Sequence, residues 1–158
     1  MSPPLFRSSE IRAILGLPGS DEDRAYGSVS TDSRKTEPGA LFVALRGPRF
    51  DGSEFVGEAA AAGALGAVVP EDRPRPSADL EWFPVPDPLV ALGALAAERR
   101  ASSAARVVGV TGTSGKTTVK EMIAAALPDV RVHRTRGNLN NQIGLPLSIL
   151  SAPTAAEV

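Results

Sequence analysis

The apolar residues of this chain change their period several times, and each change marks an element. Ile11, Ile14 and Leu15 follow a serine pair at helical spacing, and Gly16, Pro18 and Gly19 close a short helix over residues 8 to 17. Tyr26 to Thr31 predicts a strand, the polar Asp32-Ser33-Arg34 follows, and Pro38-Gly39 turns the chain into a second strand, Leu41 to Leu45. Gly47-Pro48 and Asp51-Gly52 make another turn. Ser53 then stands as the N-cap of a helix running to about Ala62, Gly63 closes it, and Leu65 to Val69 is a strand. Residues 41 to 69 are therefore expected to form a right-handed βαβ unit. A proline-rich, charged connection over residues 70 to 81 leads to an extended Trp82-Phe83-Pro84-Val85. Asp87-Pro88 then opens a helix that carries Leu89, Leu92, Leu95 and Ala96 on one side.

Further on, Val107, Val108 and Val110 predict a strand buried on both faces of a parallel sheet. Val119, Met122, Ile123, Ala126 and Leu127 follow the i, i+3, i+4, i+7, i+8 spacing of a helix that packs on that sheet. Val130 to His133 reads as the next strand, and Ile143, Leu145, Leu147, Ile149 and Leu150 begin an apolar helix with Pro146 near its first turn.

Between the valine strand and its helix runs G-x-x-G-x-x-G-K-T, from Gly109 to Thr117. Glycines let a phosphate approach the main chain, so Thr111, Gly112, Thr113, Ser114 and Gly115 are candidate phosphate contacts, with the Thr113, Ser114 and Gly115 amides cradling the anion. The helix N-terminus favours negative charge, and Lys116 adds a full positive one for the β- and γ-phosphates. Thr117 is placed to offer its hydroxyl to Mg²⁺. The spacing departs from the generic P-loop, which has four residues between its first glycine and the Gly-Lys pair.

Other polar residues are assigned more plainly. His133, the only histidine, has no metal-ligand partner at suitable spacing and reads as an ordinary strand residue, and Arg99 and Arg100 read as a solvated helix end. Thr135 to Gln142 contains Asn138, Asn140 and Asn141 at the carboxyl edge of the sheet, where open α/β folds bind ligands. The neutral amides there suit phosphate or substrate, and an asparagine-rich turn is the equal alternative.

Composition narrows the partners. The 158 residues carry 17 Lys and Arg against 18 Asp and Glu, so there is no basic field for nucleic acid or a membrane surface. With no cysteine there is no disulfide framework, and no apolar run approaches a spanning helix, which together read as a soluble cytoplasmic chain without membrane insertion. The second half supplies only two strands for a parallel sheet. The expectation is therefore an α/β chain: a small N-terminal domain over residues 1–84, then the incomplete start of a P-loop-type parallel-sheet ATPase domain over residues 85–158, from a longer protein or one needing a partner.

Ser30-Thr31-Asp32-Ser33-Arg34, Pro38-Gly39-x-Leu41-Phe42-Val43-Ala44-Leu45, Phe50-Asp51-Gly52, Gly66-Ala67-Val68-Val69 and Thr111-Gly112-Thr113-Ser114-Gly115-Lys116-Thr117 together resemble the Mur ligases of peptidoglycan synthesis. The irregular glycine spacing is the one that family uses. Val119-Lys120-Glu121-Met122 and Gly137-Asn138-Leu139-Asn140-Asn141-x-Ile143-Gly144-x-Pro146 look most like the members that join D-alanyl-D-alanine to UDP-N-acetylmuramoyl-tripeptide.

The resemblance implies a three-domain enzyme, a monomer at full length, that uses ATP and Mg²⁺ to form an acyl phosphate on the tripeptide. Residues 1–84 would bind the UDP-linked substrate. By family position, Lys116, Asn138 and Asn141 would serve catalysis, Asn140 the substrate, and Ser30, Asp32, Ser33, Arg34 and Arg46 would lie near the uridine diphosphate. The chain alone is expected to be inactive. The rival readings are the related ligase that adds the third stem-peptide residue, a nonenzymatic uridine-nucleotide-binding module and, third, a folate polyglutamate ligase.

Overall fold

The computed structural model describes residues 3–47, 50–75, 79–135, 137, 139 and 141–158. The chain opens with β1 (Phe6–Arg7) and α1 (Ser8–Leu15), in whose first turn Glu10 Oε2 accepts from the Arg7 amide at 2.6 Å. β2 (Ala25–Tyr26) returns antiparallel to β1. Then come β3 (Ser28–Ser30), β4 (Ala40–Val43), the short hairpin β5 (Arg46–Gly47) with β6 (Phe50–Asp51), α2 (Val56–Ala61), β7 (Gly66–Pro70), β8 (Glu81–Val85) and α3 (Pro88–Ala101). The helix before β7 starts differently from the expectation. Asp51, not Ser53, is the cap: its Oδ1 accepts from the Ser53 amide at 2.9 Å and opens a 3-10 turn that passes into α2.

β3, β4, β7 and β8 form a four-stranded sheet in that order, all neighbours parallel, with Ser30 opposite Phe42, Phe42 opposite Ala67 and Val68 opposite Phe83. The strand period divides the core between its faces. Leu41, Val43, Val68 and Phe83 join Ile11 of α1, Leu92 and Leu95 of α3 and the later Leu150 on one side; Phe42, Ala44, Ala67 and Val69 join Val56 and Ala59 of α2 on the other. Asp87 caps α3 by accepting from the Leu89 amide at 2.7 Å, with Pro88 at the first helical position, as the sequence predicts. Residues 84 and 85, between which the domain division is expected, both lie in β8, and α3 contributes to the core of the first sheet.

A buried carboxylate locks this unit. Glu81 Oε2 accepts from the Ser8 hydroxyl and, at 2.9 Å, from the Tyr26 hydroxyl, while Oε1 accepts from Arg12 Nε and Nη2 at 3.1 and 3.0 Å. The Arg12 guanidinium also stands 5.1 Å from the Phe83 ring centroid, and Tyr26 meets that ring edge-on. Burial first, and then the bond to Glu81, hold the Tyr26 phenol above its usual range.

The second half departs from the sequence reading. It holds α4 (Lys116–Ala125) and α5 (Gly144–Leu150), but among the described residues neither 107–110 nor 130–133 forms a ladder strand. The reason lies in their neighbours. The Arg106 amide donates to Glu157 O at 2.9 Å, the Glu157 amide to Arg131 O at 2.9 Å and the His133 amide to Val158 O at 2.7 Å, so residues 157 and 158 run between the two segments. A strand exists only through its partners, and Val107 and Val108 remain 66% and 54% exposed. For the same reason the apolar stripe of α4 does not pack on a sheet: Met122 is 65% exposed and no residue of α4 is buried.

Replacing Glu81 by Gln leaves Arg12 without its buried counter-charge and is expected to cost about 3 kcal/mol of stability. A urea unfolding midpoint indistinguishable from wild type would contradict the role given to this carboxylate.

Candidate phosphate-binding site

Gly115, with φ 77°, occupies the left-handed region and turns the chain into α4 without a side-chain cap. Among the described residues, no amide from Val107 to Thr118 donates to another protein group; the first bond of the helix runs from the Val119 amide to Gly115 O at 2.9 Å. Residues 111–115 and Thr117 are exposed. The result is a cluster of unpaired donors at the positive end of a ten-residue helix. Lys116 folds back so that Nζ donates to Gly112 O, which keeps its charge beside the bend. A cavity of about 1050 Å³ opens alongside, lined among others by Gly115, Lys116, Thr117, Lys120, Gly137 and Leu139. The bend therefore presents main-chain donors, the Lys116 ammonium and exposed hydroxyls, that of Thr117 among them, with room for an anion beside it.

Of the asparagines, Asn138 and Asn140 lie outside the described residues. Asn141 lies just before α5, its Oδ1 accepting from the Ile143 and Gly144 amides at 3.1 and 2.7 Å. Among the described residues its Nδ2 has no protein acceptor, so the side chain can still donate outward. A Cβ on Gly144 would stand 2.5 Å from Leu139 Cα, so the start of α5 packs directly on the loop. His133 Nε2 lies 2.8 Å from Ser148 O of α5, consistent with a packing role. Arg99 is not merely solvated: its Nη2 donates to Ala152 O at 3.4 Å and to the Thr154 hydroxyl at 3.1 Å.

The residues assigned to the uridine diphosphate gather elsewhere. Ser30 ends β3, Asp32 to Arg34 follow it, and Arg46 comes after β4, an adjacent parallel strand, so all five stand at one carboxyl edge. None of them lines the cavity beside the bend. Ser30 Oγ donates to Asp32 O at 2.9 Å and Ser33 is buried. Arg34 reaches both oxygens of Asp32 at 2.8 and 2.9 Å, and this pairing first, then the Arg34 amide, holds the Asp32 carboxyl down at about 2.

Arg46 donates to Asp51 at 3.2 Å and to Asp72 at 3.0 Å, and Arg73 also pairs with Asp51. Burial alone would raise Asp51; the Ser53 amide and Arg73 outweigh it and hold the carboxyl well below the usual range. Asp72 and Arg73 fall in the stretch that reads as a solvated connection. Their place at this edge depends on β7 ending beside β4, which no local pattern shows.

The chain thus combines a parallel α/β sheet with a glycine-rich bend that opens onto the N-terminus of a helix. The Mur ligase family, catalytic domain, matches residues 25–142. The chain belongs to the Mur ligase family. It is 42% identical over 149 residues to the UDP-N-acetylmuramoyl-tripeptide–D-alanyl-D-alanine ligase of Bacillus subtilis, covering 94% of this chain and 32% of that protein.

Among solved structures, the UDP-N-acetylmuramoylalanyl-D-glutamyl-2,6-diaminopimelate–D-alanyl-D-alanyl ligase of Acinetobacter baumannii superposes with a TM-score of 0.82 at 33% identity, over 96% of this chain and 34% of that one. The MurF ligase of Thermotoga maritima in complex with ADP gives a TM-score of 0.68 at 40% identity, over 78% and 28% of the two chains. This chain thus spans about a third of the length of the relatives it matches. Among the described residues no helix is long and apolar enough to cross a membrane, and no group of three His, Cys, Asp or Glu residues could hold a metal.

The Asp32 carboxyl, near 2 when folded against 3.8 ordinarily, is protonated at lower pH in the folded chain than in the unfolded one. The stability it contributes is complete above the ordinary value and is lost as pH falls through about 2. In a carboxyl ¹³C titration, Arg34→Gln should move the Asp32 midpoint up toward about 4. An unchanged midpoint would remove Arg34 as the cause.

Proposed function

We propose that this chain is the substrate-binding and ATP-entry part of a ligase that joins D-alanyl-D-alanine to UDP-N-acetylmuramoyl-tripeptide in peptidoglycan precursor synthesis. The observation that carries the reading is the exposed bend from Thr111 to Thr117, whose amides have no acceptor among the described residues, in a chain of the Mur ligase family. The ADP complex of the Thermotoga maritima relative supports a nucleotide as the anion.

In this reading the Thr113, Ser114 and Gly115 amides cradle the β- and γ-phosphates, and Lys116 leaves the Gly112 carbonyl to neutralise them. The Thr117 hydroxyl, exposed and without a protein partner among the described residues, would help to hold a Mg²⁺ ion, which would supply charge neutralisation at the phosphates. The terminal carboxylate of the tripeptide attacks the γ-phosphorus and ADP leaves. The amine of D-alanyl-D-alanine then adds to the acyl carbon of the resulting acyl phosphate, loses a proton and expels phosphate. The protein's part is placement and electrostatics.

Asn141 Nδ2, with Asn138 and Asn140, serves the transferred phosphate or the muramoyl substrate. Ser30, Asp32, Ser33, Arg34 and Arg46 border the uridine diphosphate, and Arg34 and Arg46 must then exchange carboxylate partners for substrate. Residues 1–84 form the substrate domain, and 85–158 open the ATP domain of a cytoplasmic enzyme that acts as a monomer. The 158 residues by themselves bind without completing ligation, a reading supported by their covering about a third of the relatives.

Calorimetric titration tests both halves. Mg-ATP should give heat with the wild-type chain and at least about tenfold weaker binding with Lys116→Ala, while UDP-muramoyl-tripeptide binds both alike and better than the dipeptide form. Equal nucleotide binding by the two proteins, or pentapeptide formation by the 158 residues alone, would contradict the reading.

A further inference from the structure

Two successive residues of α4 reach across to two successive residues of the segment that precedes the asparagine loop. Lys120 Nζ donates to Thr135 O at 2.6 Å, and Glu121 Oε2 pairs with Arg134 Nη1 at 2.5 Å. Lys120 Nζ also stands 3.4 Å from Glu121 Oε1, so the four groups form one chain of alternating charge and carbonyl. The Lys120 side chain is 20% exposed, which makes its bond to a neutral carbonyl less screened than a surface pair. Behind it, the Thr135 hydroxyl meets Ser148 Oγ at 3.3 Å, and Ser148 is buried on α5. Thr135 is thus held from both sides, by α4 and by α5. Two residues further on, Gly137 and then Leu139 line the same cavity as Gly115, Lys116 and Thr117.

Lys120 lies one helical turn beyond Lys116, so the helix whose first turn adjoins the bend also carries the contact to Thr135. We propose that Lys120 is a positioning residue for nucleotide binding: its ammonium on the Thr135 carbonyl, seconded by Glu121 on Arg134, holds Gly137 and Leu139 at the mouth of the phosphate cavity. This rests on the phosphate reading of the bend. Lys120 acts through Thr135 and not on the anion itself.

The test uses amide ¹H–¹⁵N spectra of the chain titrated with Mg-ADP. In wild type the amides of Gly112 to Thr117 and those of Gly137 and Leu139 shift together. In Lys120→Met the bend amides still shift, at about tenfold higher nucleotide concentration, but Gly137 and Leu139 no longer follow. Lys120→Arg restores them, and Glu121→Gln, which removes only the second arm and keeps the protein folded if Lys120→Met does not, weakens their response in part.

Unchanged Gly137 and Leu139 shifts in Lys120→Met or Glu121→Gln would overturn the proposal and leave the phosphate site standing. Loss of the bend shifts in folded Lys120→Met would overturn it differently, by making Lys120 a direct ligand. Absence of bend shifts in wild type would remove the phosphate reading, and this proposal with it.

Discussion

The fold is tied together at Glu81, a carboxylate with 6% of its side chain exposed that satisfies Ser8, Arg12 and Tyr26 at once. A charge taken out of water is tolerable only with such partners, so the four side chains must arrive in one place for any of them to be buried. Their elements follow. β8 is fixed against α1 and β2, and the helix that β8 leads into, α3, is placed on the same face of the sheet. α5 then packs on α3, with Leu150 joining the same core. At the start of α5 the Gly144 amide donates to Asn141 Oδ1 and Gly144 rests on Leu139, so these two residues adjoin a helix packed on that core.

Charge is distributed unequally between the two candidate regions. At the carboxyl edge of the first sheet every arginine in question is already paired: Arg34 with Asp32, Arg46 with Asp51 and Asp72, Arg73 with Asp51. An anion arriving there must exchange partners with carboxylates that are held strongly acidic. At the bend the donors are main-chain amides without acceptors among the described residues, and Lys116 is engaged only by a neutral carbonyl. Of the two regions, the bend is the one where an anion would meet donors without breaking an ion pair among the described residues.

Much of this was legible in the residues. Leu41 to Leu45 and Leu65 to Val69 carry the unbroken apolar runs of strands covered on both faces, and those residues are buried as expected apart from Leu65. Asp87-Pro88 begins its helix as capping chemistry requires. Val107, Val108 and Val110 show the same run without the same outcome, because β-branching states a preference for a sheet and supplies no neighbour to pair with. The stripe of α4 is helical as its period says, and exposed for want of that sheet. Contacts between residues far apart in sequence were hidden: Ser8 with Glu81, Arg46 with Asp72, and Lys120 with Thr135 each depend on topology. Asn141 was visible as polar, but its bonds to the Ile143 and Gly144 amides required knowing that the helix begins at Gly144.

The most direct measurement is a crystal structure of the chain grown with Mg-ADP. Phosphate oxygens within about 3 Å of the Thr113, Ser114 and Gly115 amides, with Lys116 Nζ moved from Gly112 O onto the phosphates, is the result expected. A nucleotide bound elsewhere, with the bend unchanged and Lys116 still on Gly112, would contradict it.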